Sequence, residues 1–130
     1  MSEALLDTSV LIAGDQAGSV ELPERAAISV ISLGELHAGV LRARDRSSRM
    51  LREDRFQAVR KAFDALPVDA HVAHHYGEAL AWARSEGRAA KATDLLIIAT
   101  AAAGDLSLVT LDVGQASVAR GVGVEVWHAQ

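Results

Sequence analysis

Four times along the chain a short apolar run gives way to a carboxylate where a strand would hand over to a helix or a turn: Asp7 in ALLDTSVLIA, Glu35 in ISVISLGEL, Asp94 in KATDLLIIATAA and Asp112 in SLVTLD. In an α/β fold those hand-over points gather along one edge of the sheet, so residues distant in sequence meet in one acidic pocket. Two carboxylates about 5 Å apart repel by roughly 3 kcal/mol at an effective dielectric near 20, which is about two pKa units per pair. A chain that assembles several such pairs without Lys or Arg beside them must protonate some, splay them apart or hold a divalent cation. The reading favoured here is metal.

The remaining elements agree with that architecture. Ala4–Leu6 is a short strand feeding a helix at Asp7-Thr8-Ser9. Gly14 to Pro23 reads as a loop, Ala27 to Ile31 as a strand, and Ser32-x-x-Glu35 has the form of a capping box that starts a helix at Ser32. Ser47 to Leu66 reads as a long helix with Phe56, Val59, Phe63 and Leu66 on one stripe, ended by Pro67, with a brief strand at Val68. Ala70 to Glu86 is a helix closed by Gly87. After a polar turn, Thr93-Asp94 caps an apolar helix over Leu95–Ala103, Leu106–Leu111 is a buried strand, and a last strand runs near Val122–Trp127. Strands alternating with helices imply a parallel sheet covered on both faces, an α/β/α sandwich.

The chain has 130 residues, 50% of them apolar and 23% charged, which suits a single globular domain over residues 1–130. It contains no cysteine, so disulfides and thiolate chemistry are excluded and a reducing, cytoplasmic setting is expected. The N-terminus lacks a signal-type apolar region, and the longest apolar tract, around Leu95 to Ala103, is far below a spanning length, so neither export nor a membrane span is expected. The net charge is −4, yet Arg42, Arg44, Arg46, Arg49, Arg52, Arg55, Arg60 and Lys61 crowd one stretch against only Asp45, Glu53 and Asp54. That stretch reads either as the solvated side of an amphipathic helix or as a phosphate grip beside the acidic pocket, with Arg42, Arg44, Arg46 and Arg49 the candidate RNA contacts.

Asp and Glu are the oxygen donors that Mg²⁺ and Mn²⁺ prefer, and a sparse set of them leaves room for water and a substrate phosphate. A metal so held lowers the pKa of bound water and neutralises charge on a phosphodiester under in-line attack, the chemistry of a metal-dependent nuclease. Thr8, Ser9 and Thr110 lie beside the acids and can orient them by hydrogen bonding. Each acid also has a plainer reading. Glu35 fits a capping box, Asp94 an N-cap and Asp112 a turn. Asp7 resists one, because it interrupts an apolar stretch where an unpartnered aspartate is costly to bury. His71, His75 and Glu78 share one side of a helix at zinc-ligand spacing, but they lack the glutamate of helical zinc hydrolases and read as solvent-facing. No glycine-rich phosphate loop with lysine and no serine or cysteine nucleophile arrangement stands out.

Taken together, Leu5-Leu6-Asp7-Thr8-Ser9, Ser32-Leu33-Gly34-Glu35-Leu36, Thr93-Asp94-Leu95-Leu96-Ile97-Ile98-Ala99-Thr100-Ala101 and Leu108-Val109-Thr110-Leu111-Asp112 resemble the motifs of a PIN domain, and specifically of the VapC-type toxins of bacterial toxin–antitoxin pairs. The resemblance implies a parallel five-stranded sheet with flanking helices, and Mg²⁺ or Mn²⁺ held by Asp7, Glu35, Asp94 and Asp112. It also implies endonucleolytic cleavage of RNA, homodimers, and inhibition by a cognate antitoxin whose C-terminal segment fills the toxin groove. The chain departs from many relatives after the fourth motif, where Gln115-Ala116 replaces an acidic residue followed by phenylalanine, so the fourth metal position rests on Asp112 alone. Two other functions compete. A catalytically silent PIN-like module keeps the fold and binds RNA or protein without cutting; a signalling receiver domain requires an acidic pair on the first strand and a lysine on the last, and the chain supplies neither.

Overall fold

The computed structural model describes residues 3–14 and 23–128. In chain order the elements are β1 (Glu3–Leu6), α1 (Thr8–Ala13), β2 (Arg25–Ser29), α2 (Val30–Leu41), α3 (Arg46–Ala62), β3 (Asp64–Leu66), α4 (Ala70–Ser85), α5 (Ala92–Ala103), β4 (Ser107–Thr110), α6 (Val113–Gly121) and β5 (Val126–His128). The strands form one five-stranded parallel sheet in the order β3-β2-β1-β4-β5. Leu5 at the centre pairs with Ala27 on one side and Leu108 on the other.

Because side chains alternate across a strand, this register divides the core in two. Leu5 and Leu108 face a cluster built from Ala79 of α4, Leu95, Ile98 and Ala101 of α5, and Val118 and Ala119 of α6. Ala4, Leu6, Ile28 and Val109 face the opposite cluster with Val10 and Leu11 of α1, Leu36 of α2 and Val59 of α3. The result is a three-layer sandwich, as expected from strands that are apolar on both faces.

Several elements differ from the sequence reading, among them helix α6, which it lacks altogether. The long helix ends at Ala62, and Asp64–Leu66 becomes an edge strand paired with Ala27–Ser29 of β2; the expected strand at Val68 does not form. Phe56, Val59 and Phe63 keep their stripe, whereas Leu66 packs in the other cluster. A three-residue run carries no periodicity that separates strand from helix, so its pairing partner decided. The last strand starts at Val126 rather than near Val122, because α6 closes in a Schellman turn: Gly123 adopts φ +89°, its N–H reaches the Arg120 carbonyl, and the Val124 N–H reaches that of Ala119. Helix α2 begins at Val30, capped by Ser29, whose side chain accepts from the Ile31 N–H at 3.0 Å. The expected loop between Gly14 and Pro23 lies, apart from its two ends, outside the described residues.

Candidate functional site

The sheet order reverses direction between β1 and β4, and at such a switch point the connections leave in opposite directions, opening a crevice beyond the strands' C-terminal ends. Asp7 follows β1 and Asp112 follows β4, so two of the four acids flank this crevice from adjacent strands.

Asp7 is 5% exposed and stands at the N-cap position of α1, yet its side chain makes no capping bond. Two hydroxyls donate to Oδ2 instead, Ser9 at 2.7 Å and Thr110 at 2.9 Å. Those hydroxyls are themselves held by backbone donors, since Leu111 N–H reaches Ser9 Oγ and Asp112 N–H reaches Thr110 Oγ1, each at 3.0 Å. A buried carboxylate is thus oriented by hydroxyl donors.

Glu35 does not close a capping box. Since α2 starts at Val30, Ser32 and Glu35 lie inside the helix. Ser32 is fully buried beside Thr8, at 2.8 Å, and Thr8 donates to Glu35 Oε1 at 2.7 Å. Asp94 is likewise not a cap. Helix α5 begins at Ala92 after Lys91, which makes no side-chain capping bond, leaving Asp94 in the first turn. Burial pushes the Asp94 carboxyl above its ordinary value, followed by the charges of Asp7 and Glu35; Lys91 opposes them, and Asp112 adds the smallest push. That ordering places all four acids in one electrostatic neighbourhood. Asp112, which reads from sequence as a turn former, instead caps α6, a helix that the sequence reading lacks, accepting the Gln115 N–H at 3.0 Å on Oδ1.

The donor set suits a hard divalent cation, for it is all oxygen, and Lys91 is the cation that opposes the acids' charge at Asp94. Among the described residues no three Asp, Glu, His or Cys side chains converge into a ready-made metal cage.

Two site neighbours escaped the sequence reading. Ser32 was assigned to a cap, although Ser32, Leu36 and Val40 recur at helical spacing on the buried side of α2, which was the available signal. Gln115 was seen only as a departure from a motif, yet it is buried and its amide reaches both Asp7 and Asp94.

Among the arginines, Arg42, Arg44 and Arg52 line an open hollow of about 470 Å³ with Gly39, Asp45 and Ser48, at the turn from α2 into α3. Arg52 is spent on the Gly39 carbonyl at 2.7 Å. The backbone N–H of Ser48 holds the Asp45 carboxyl below its ordinary range, with a smaller contribution from Arg52. Arg46 and Arg49 are exposed on α3 and do not line the hollow. Glu78 sits 3.4 Å from both His74 and His75 on α4, and the His71 ring lies edge-on to His75, which ties the histidine cluster to its own helix.

A doubly wound five-stranded sheet with carboxylates at its switch point defines a PIN-like domain, and the PIN domain model matches residues 4–121. The chain is 44% identical over 100 residues to Ribonuclease VapC8 of Mycobacterium tuberculosis, covering 75% of this chain and 88% of that protein. To Ribonuclease VapC5 of the same organism it is 34% identical over 125 residues, covering 94% and 92%. The crystal structure of VapBC-5, a member of the VapBC family of toxin–antitoxin systems from Mycobacterium tuberculosis, matches with a TM-score of 0.87 at 32% identity, covering 98% of this chain and 99% of that one. The chain belongs to the PIN domain family, and within it to the VapC group.

Proposed function

We propose that the chain is a divalent-metal-dependent endoribonuclease acting as the toxin of a toxin–antitoxin pair. The observation that supports this chemistry is that the side chains of Asp7, Glu35 and Asp94 are not used as helix caps, while the charges of Asp7 and Glu35 both act on Asp94. Mg²⁺ or Mn²⁺ bound there supplies charge neutralisation at a phosphodiester and a more acidic water. Asp7, Glu35 and Asp94 would hold it, with Asp112 contributing the carboxylate oxygen that is not capping α6.

The chain's own groups do the rest. Ser9 and Thr110 fix the Asp7 carboxylate, and Thr8 fixes that of Glu35, so little reorganisation is needed on binding. Arg42, the C-cap of α2, follows Glu35 by seven residues, about 10 Å along the axis and within about 20° of the same helical face. That relation supports reading the arginine hollow as a grip for an RNA backbone on its way to the acids, with binding through phosphates the expected mode.

The antitoxin partner rests on the names of the relatives and on Leu41, Met50 and Leu51, large apolar side chains exposed near the α2–α3 turn. A homodimer is part of the same proposal. No described helix is long and apolar enough to cross a membrane, and a cytoplasmic setting is proposed on that basis together with the absence of cysteine.

The deciding experiment incubates mixed cellular RNA with purified protein in Mn²⁺ or in EDTA, beside Asp94→Asn. Discrete cuts that require both the metal and Asp94 are expected. Intact RNA together with undiminished Mn²⁺ binding would instead favour a silent, binding-only domain.

A further inference from the structure

Gln115 stands in the first turn of α6 and is 6% exposed. Its side chain turns away from the capped helix end and into the crevice. Nε2 lies 3.1 Å from the Asp94 carbonyl and 3.4 Å from Asp7 Oδ1. A primary amide has two hydrogens, so one nitrogen serves both acceptors and joins α6, α5 and the end of β1.

Counting acceptor positions at Asp7 shows what this tie does. A carboxylate offers about four. Ser9 and Thr110 take both positions on Oδ2, and the Gln115 amide takes one on Oδ1. The one position left is on Oδ1. We propose that Gln115 is a positioning residue that, by donating to Asp7 Oδ1 and to the Asp94 carbonyl, leaves Asp7 one Oδ1 position with which it would hold a cation. The inference rests on the metal reading given above and adds to it the residue that sets how Asp7 presents its charge. An amide is a neutral donor and adds no negative charge beside Asp7. A carboxylate in its place would face Asp7 with like charge in the metal-free protein and become an additional ligand in the loaded one.

The test is calorimetric titration of the full chain with Mn²⁺, with melting in EDTA as a second readout, for wild type, Gln115→Met, Gln115→Glu and Asp94→Asn. Methionine fills similar space without a donor. Gln115→Met is expected to bind Mn²⁺ about tenfold more weakly, and Gln115→Glu to bind at least about tenfold more tightly while melting lower in EDTA. A merely space-filling role leaves the methionine variant's affinity unchanged. Wild-type affinity in both Gln115→Met and Gln115→Glu overturns this inference and leaves the metal reading standing. Absence of Mn²⁺ binding by wild type, matched by Asp94→Asn, overturns the metal reading and this inference with it. If Gln115→Glu does not fold, the comparison of wild type with Gln115→Met decides.

Discussion

The Thr8 hydroxyl donates to Glu35 Oε1 at 2.7 Å, joining the first residue of α1 to the interior of α2 across 27 positions of sequence. Thr8 has a single hydrogen to give, so in its 2.8 Å contact with Ser32 the serine is the donor. A relay from Ser32 through Thr8 therefore ends on the carboxylate, each bond polarising the next. Thr8→Val should cost about 1–3 kcal/mol of stability, because the buried Ser32 hydroxyl loses its partner. It should also weaken Mn²⁺ binding about tenfold by freeing Glu35. Urea unfolding and calorimetry check the two effects, and Thr8→Ser, which keeps the hydroxyl, should restore the affinity.

Asp94 sets a pH dependence whose sign follows from its raised pKa. Unfolded, the carboxyl titrates at its ordinary value, 3.8; folded, it holds its proton to higher pH. The folded state therefore binds more protons, and the stability this contributes is complete below 3.8 and lost as pH rises through the folded pKa. In EDTA, Asp94→Asn should melt above wild type at neutral pH, with the gap closing as pH falls toward the unfolded carboxylate value. A gap that is constant or widens on acidification would contradict the assignment.

Saturating Mn²⁺ should reverse that order. At a hundredfold excess over Kd, a site present only in the folded state stabilises by about 2.7 kcal/mol, on the order of 10 °C in Tm for a domain of this size. Asp7→Asn removes the carboxylate whose orientation three side-chain donors maintain, and its Tm should not respond to the metal. A wild-type Tm that ignores Mn²⁺ would count against the pocket.

Replacing Arg42 and Arg44 by Gln should weaken RNA binding and flatten its salt dependence. If each contacts one phosphate of a single strand, the slope of log K against log salt falls in magnitude by about 1.4 for the pair. Filter binding across a salt series measures this. Arg46→Gln with Arg49→Gln, off the hollow, should change the slope less.

The helix stops at Gly87 and Gly104, the stripe of Phe56, Val59 and Phe63, and the apolar tract of α5 could all be read because each is a local pattern with a local cause. The edge strand Asp64–Leu66 could not, since three residues acquire extended structure only by pairing with β2. The helix starts failed for a related reason. Ser32 and Thr93-Asp94 carry capping chemistry, yet α2 and α5 begin upstream of them, at Val30 and Ala92. Burial of Ser32 against Thr8 and of Leu95 against the sheet outweighs the roughly 1 kcal/mol that a cap contributes.

By itself the sequence determined most of the alternation of strand and helix, though not β3 or α6, the apolar faces that make the sheet a buried middle layer, and the presence of four acids at the ends of apolar runs. Those follow from periodicity and from the cost of burying charge, which act within a few residues. Only the tertiary structure decided that three of those acids are not caps, that Ser32 and Gln115 join them, and that Arg42 and Arg44 share a hollow while Arg46 and Arg49 do not. Such assignments depend on strand order and on hydrogen bonds spanning up to 108 positions, from Asp7 to Gln115, and no local window of sequence contains both partners.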